Sequence, residues 1–261
     1  MVLFNRSRVA VLLAVVLVLG GLTAGASVQE DPVRLPIPGV PTQAAQVSTR
    51  PNQRAVAAHL KPASFVYEDT GSAGIQLTFD DGPSPLWTPK VLQVLAKYHV
   101  HAIFCMVGFR VREHPELVRA VADAGHTLCN HTVEHDPSIG TWSVPDIRAD
   151  LVENNELITA ASGGVKPVYF RSPHGDFTPR IVEVAREVGL ASLGWKVTAT
   201  DWADPPPPAW DIAANIHHHV RPGSIILFHD AGSPGTHAQT VAALKLVLDD
   251  FQRRHLKTAY L

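Results

Sequence analysis

The sequence predicts an α/β fold, a parallel sheet with helices packed outside it, in six or seven repeating units that suit a closed or nearly closed barrel. Three observations predict it. From Ile75 onward, short apolar runs alternate with longer amphipathic stretches. Pro and Gly punctuate the amphipathic stretches where helices start and stop. Reactive polar side chains stand just after five of the apolar runs, and in a β/α barrel those strand ends converge on one face.

The elements follow in order. Residues 75–79 read as the first strand. Residues 88–98 (TPKVLQVLAKY) carry apolar side chains at helical spacing, with Pro89 in the first turn. A strand over 102–107 comes next, then a helix over 115–124 ended by Gly125. A strand over 127–130, a helix over 144–162 and a strand over 168–170 follow. A helix over 179–188 is ended by Gly189, and 191–197 reads as one strand. The pattern closes with a helix over 210–219, a strand over 224–228 and a helix over 236–254.

Ahead of these units the texture differs. Arg6 and Arg8 precede an apolar run over 9–22, and Ala24-Gly25-Ala26 supplies small residues at alternate positions. Residues 1–26 are therefore expected to be a signal peptide or an N-terminal anchor. The run is short against the about 20 residues of a full span, which favours cleavage. Residues 27–70 are rich in Pro, Gln, Ala, Val and Ser without a persistent period, and are expected to be a linker to a domain over 71–261. That domain is expected outside the cytoplasmic membrane, secreted or in the cell envelope, with any membrane contact confined to the N-terminal anchor. A monomer is the default expectation.

Of the 261 residues, 46% are hydrophobic and 18% charged, which excludes a disordered chain. The net charge of −2 offers nucleic acid no basic surface. Cys105 and Cys129 both lie in strand-like segments, and form either a disulfide or two buried thiols.

The chemistry sits at the strand ends. Asp80-Asp81 follows the first strand. Two carboxylates turned into one cleft repel unless a cation lies beside them. His131 and His135 stand four apart, so that one helical turn would put both rings on one face. With Asp81 they make a two-His, one-carboxylate set for a divalent metal, zinc in the first instance and cobalt or manganese as alternatives. Such a metal brings the pKa of water from about 15.7 towards about 7, so that hydroxide is available at neutral pH. Asp80 is then within reach to act as base, Arg171 to orient it, and His229 to protonate a leaving nitrogen. Leu227, Trp202 and Trp142 are candidate apolar walls. The run His217-His218-His219 lies at a helix end, where the dipole favours such residues, and is not expected to be a site. Residues 205–208, four prolines, read as a stiff loop at the rim.

These residues resemble a known family. TFDDGPS (78–84), HTVEH (131–135), RSPHG (171–175), TATDW (198–202) and LFH (227–229) are similar to the five motifs of the polysaccharide deacetylases of carbohydrate esterase family 4, the NodB homology domain. The resemblance covers most of the chain and leaves out residues 1–70. It implies a distorted (β/α)7 barrel and hydrolysis of N-acetyl groups on N-acetylglucosamine-type polysaccharides such as peptidoglycan or chitooligosaccharide. It implies Asp80 as base, Asp81, His131 and His135 as ligands, Arg171 positioning Asp80, and His229 as acid. It also implies that the backbone N–H of His174 helps hold the oxyanion. Two departures carry expectations of their own. Thr198 stands where the fourth motif usually has an Asp that tunes the acid. His229 is therefore expected to lose a partner and to have a lower pKa, unless Asp201 or Asp230 compensates. His174 replaces an aromatic residue, which makes that wall polar. The alternatives are an O-acetyl sugar esterase or small-amide hydrolase, and a wall-binding pseudoenzyme.

Overall fold

The computed structural model describes residues 65–232 and 237–261. The expected signal segment and most of the expected linker lie outside them. The chain runs β1 (Gln76–Asp80), α1 (Thr88–Tyr98), β2 (Ala102–Met106), α2 (Gly108–Glu113), α3 (Pro115–Asp123), β3 (Thr127–Asn130), α4 (Val144–Ala161), β4 (Tyr169–Phe170), α5 (Pro179–Glu187), β5 (Ala191–Ser192), β6 (Val197–Thr198), α6 (Ala209–His219), β7 (Ile225–His229) and α7 (Ala238–Arg253). All strand pairs are parallel, in the order β5-β4-β3-β2-β1-β7-β6.

That order settles the shape. β5 and β6 stand at opposite ends of the row, yet only residues 193–196 separate them in sequence. Five Cα steps reach at most about 19 Å. The row must curl until its ends nearly meet, which is a distorted (β/α)7 barrel. The run 191–197, expected as one strand, is thus two strands on opposite sides of a seam. Residues 66–68 fill the seam: Tyr67 N–H donates to Ser192 O at 2.9 Å, and Gly194 N–H donates to Tyr67 O at 2.8 Å. A Cβ at Gly194 would stand 3.0 Å from side-chain atoms of both Val66 and Glu68, so the close approach needs glycine. Residues 65–70 are therefore bonded to the barrel.

Every strand is buried on both faces, as a parallel sheet under helices requires. Alternation sorts the side chains. Leu77, Phe79, Phe104, Leu128, Ile226 and Phe228 face outward into the main sheet–helix core. Phe79 stacks on Phe104 at 5.2 Å and on Phe228 at 5.5 Å. Ile103, Cys105, Cys129, Tyr169, Ala191 and Ile225 fill the lumen. The same parity turns Thr78 and Asp80 of β1, and Leu227 and His229 of β7, towards the inside.

Cys105 and Cys129 are register partners on β2 and β3 and form a disulfide. The bond closes a loop of 24 residues. Helix α2, absent from the expected elements, is only six residues long and too short for a periodic signal. Two of the helices that were legible carry a capping start signal: Ser143 and Thr178 accept N–H groups of Asp146 and Ile181, each one residue ahead of a helix with Pro in its first turn.

Replacing both cysteines by alanine should lower unfolding stability by about 3 kcal/mol, the loop-closure contribution for a ring of this size. Urea midpoints of the double variant, compared at equal slope, check this.

Candidate active site

Asp80 ends β1, and its Cα partner on the neighbouring strand is His229, the last residue of β7. Base and acid candidates therefore start level with each other, on adjacent strands and the same face. Asp81 has φ 71°, and this left-handed turn swings its carboxylate back into the cleft that Asp80 faces.

Arg171 comes from the end of β4 and is fully buried. Its Nη1 donates to Asp80 Oδ1 at 2.6 Å and to Thr78 Oγ1 at 2.8 Å. Its Nε and Nη2 donate to the carbonyls of Leu193 and Gly194 at 2.9 and 3.0 Å. The guanidinium carbon lies 5.5 Å from the centre of the Trp195 ring. Arg171 thus joins β1, β4 and the seam.

The segment 131–135 is a loop, not the helical turn expected from the spacing. Thr132 and His135 have φ of 66° and 54°. The two left-handed residues, rather than helical periodicity, bring the rings of His131 and His135 to 4.8 Å. Helix α4 holds this loop. Asn154 Nδ2 reaches the carbonyls of Met106 and Thr132 at 3.0 and 2.8 Å and Asn130 Oδ1 at 2.9 Å. Both oxygens of Asp150 accept the Val133 N–H at 3.2 Å. From the other side, the N–H groups of Gly108 and Phe109 donate to Thr132 O and Val133 O at 3.0 Å. A Cβ at Gly108 would stand 2.9 Å from both Asn154 Oδ1 and Val133 Cα.

Asp81, His131 and His135 form the one group of three such side chains, among the described residues, whose ligand atoms lie within 4.8 Å of one another. The set fits a divalent cation on its own evidence. Asp81 Oδ1 is buried without a hydrogen-bond partner and faces the Nε2 atoms of His131 and His135 at 3.4 and 3.3 Å. His131 Nδ1 lies 2.7 Å from Arg171 O, and donating there leaves Nε2 free as a ligand atom. Burial would raise the Asp81 pKa, but the close approach of His131 and the charge of the imidazoles of His131, His229 and His135 bring it well below the usual carboxylate range.

His229 has a partner after all. Asp201 Oδ1 lies 2.9 Å from His229 Nδ1, and Asp201 Oδ2 accepts the His229 N–H at 2.9 Å and the Thr240 hydroxyl at 2.8 Å. Burial works to lower the His229 pKa, but the hydrogen bond and charge of Asp201, helped by Asp80 and Asp81, outweigh it and raise it to about 9. Of the two compensating partners the sequence left open, Asp201 takes the role, and the pKa is raised instead of lowered. Thr198 serves the backbone instead, accepting the Thr200 N–H at 3.1 Å. Asp230 points elsewhere: it accepts the Thr88 hydroxyl, and burial pushes its pKa up to about 7.

The cleft around these groups has a volume of about 670 Å³. Asp80, Asp81, His131, His135, His174, Trp202, Leu227 and His229 all line it, as the sequence suggested. Trp202 is 55% exposed, Leu227 buried, and His174 sits in a left-handed turn with φ 56°. Trp142 does not line it. It borders a separate groove with Arg112, Asp146 and Asp150, against the rim residue Glu134. Phe109, Arg110, Glu134 and Trp195 line the cleft without having been singled out. Trp195 lies in the misread run 191–197, and Phe109 and Arg110 in the unrecognised α2.

The chain is similar to known proteins over most of its described residues. Residues 67–193 match the polysaccharide deacetylase family. The chain is 36% identical over 176 residues to a chitooligosaccharide deacetylase of Sinorhizobium fredii, covering 67% of this chain and 80% of that one. It is 33% identical over 182 residues to a peptidoglycan-N-acetylglucosamine deacetylase of Bacillus cereus, covering 69% and 82%. Among solved structures, a pseudoenzyme of the CE4 family from Bacillus anthracis superposes with a TM-score of 0.69 at 25% identity, covering 77% of this chain and 68% of that one.

Asp201→Asn keeps the size of the side chain and removes the charge that holds the proton on His229. The wild-type rate should fall as pH rises through about 9. In the variant that fall should begin near the ordinary imidazole value of about 6.5, with roughly 30-fold lower kcat/KM at pH 8. A pH profile of deacetylation reads both limbs, and an unmoved basic limb would remove His229 as the acid.

Proposed function

This chain belongs to the polysaccharide deacetylase family, and we propose that it is a metal-dependent enzyme removing N-acetyl groups from N-acetylglucosamine-type polysaccharide, either peptidoglycan or chitooligosaccharide. The observation that carries the reading is the level pair of Asp80 and His229, flanking the Asp81, His131 and His135 set. A divalent cation held by those three side chains, zinc by the chemistry of the donors, would supply Lewis acidity towards water and towards an acyl oxygen.

The chain's own residues divide the remaining work. Arg171 fixes the Asp80 carboxylate through Oδ1, which leaves Oδ2 directed at the cleft. Asp80 takes a proton from the attacking water as its oxygen bonds to the amide carbon. The backbone N–H of His174 meets the charge that develops on the amide oxygen. His229, kept protonated by Asp201, gives its Nε2 proton to the nitrogen as the C–N bond breaks. Acetate leaves, and the sugar keeps a free amine. Leu227 supplies an apolar wall suited to the acetyl methyl group, and Trp202 an exposed face for a sugar ring.

A pseudoenzyme within the family motivates a second reading, a wall-binding protein without turnover. The complete set of Asp80, Arg171, His229 and Asp201 favours the enzyme. An exported location is supported by the Cys105–Cys129 disulfide, since such bonds persist in oxidising compartments, and by the apolar N-terminal run.

Acetate release from chitotetraose and from purified peptidoglycan, with and without added zinc, tests the reading. Asp80→Asn should retain bound metal and lose about 10³-fold in rate, while His131→Ala should lose the metal as well. Metal content measured beside the rate separates the two. Full turnover by Asp80→Asn would rule out the base assignment.

A further inference from the structure

The charged side chains of the cleft are all accounted for except one. Asp80 is paired with Arg171 at 2.6 Å. Asp81 faces the two imidazoles. Glu134 lies 3.4 Å from Arg112 Nη1, and Arg112 is shared with Glu153. Arg110 lines the same cleft, half-buried, and among the described residues its guanidinium has no hydrogen bond and no ion pair. Glu113, one turn further along α2, does not pair with it either.

The guanidinium is nevertheless held. Its carbon lies 4.9 Å from the centre of the Phe109 ring, and Phe109 is itself a wall of the cleft. Stacking on an aromatic face fixes the guanidinium plane and leaves its N–H edges free. A rigid fork of N–H donors is suited to a planar carboxylate, which can take two parallel bonds from it. A neutral polymer lying over Arg110 would cover the cation without giving it a partner, which costs binding energy. A polymer with a carboxylate at that point would supply the missing partner.

Building on the deacetylase reading above, we propose that Arg110 is a specificity-determining residue that binds a carboxylate on the substrate glycan close to the N-acetylated ring. The preferred substrate is then an acidic N-acetylated glycan rather than a neutral one. The test uses the full protein and three substrates: chitotetraose, a glycan alternating N-acetylglucosamine with N-acetylmuramic acid, and the same glycan with its carboxylates amidated. Wild-type enzyme should favour the acidic glycan over its amidated form by about tenfold in kcat/KM, mostly through KM, and added salt should erode the preference. In Arg110→Gln the ratio should collapse towards one, and Arg110→Lys should restore part of it. Equal rates on the acidic and amidated glycans in the wild type would overturn the proposal. So would an unchanged ratio in Arg110→Gln. No acetate from any of the three would instead refute the deacetylase reading on which the proposal rests.

Discussion

A fully buried guanidinium has to be paired, and Arg171 organises this barrel around that requirement. Its partners are a carboxylate and a hydroxyl on β1 and two carbonyls at the seam. Each comes from a different part of the curled sheet from β4, which carries the arginine. Leaving any of them unmet would strand a charge or a donor in the lumen. The same bonds that close the barrel therefore fix Asp80, so the strength of the fold and the aim of the base share one set of contacts.

The metal-ligand loop depends on a second polar lattice. Two left-handed residues shape residues 131–135, and the backbone groups they turn inward need partners. Asn130, Asn154 and Asp150 supply them from β3 and α4, and Gly108 allows the close approach of α2. Burial pushes the Asp150 pKa up to about 6, so the folded state favours the protonated carboxyl and this group's contribution to stability falls as pH rises from the ordinary carboxylate range through about 6. His229 follows a third version of the same design, with Asp201 bonded both to the ring and to the backbone of one residue.

The strand–helix alternation and the reactive strand ends were legible because their signals are local. Parity, periodicity and capping all act within a few residues. For His229 the sequence left Asp201 and Asp230 open, because the choice depends on Thr200, whose φ of 53° turns the chain so that Asp201 faces the imidazole. The seam was misread for a related reason. A mostly apolar stretch of seven residues looks like one strand whether or not the sheet curls, and the glycine at 194 hints at the break. The spacing of His131 and His135 pointed to the right pair through the wrong geometry, since a four-residue separation suits a left-handed loop as well as a helical turn. Helix α2 was too short to see, and with it went Phe109 and Arg110, two walls of the cleft.

Arg171 acts through Asp80, and a double-mutant cycle reads that coupling. Arg171→Met, Asp80→Asn and the double variant would be compared in kcat/KM for deacetylation and in unfolding stability. The double variant should be no slower than Asp80→Asn alone. Of the about 3–5 kcal/mol lost in Arg171→Met, the double variant should recover the part that comes from leaving the Asp80 charge buried without its partner. Additive losses in both rate and stability would contradict the coupling, because they would mean that the arginine and the carboxylate work independently.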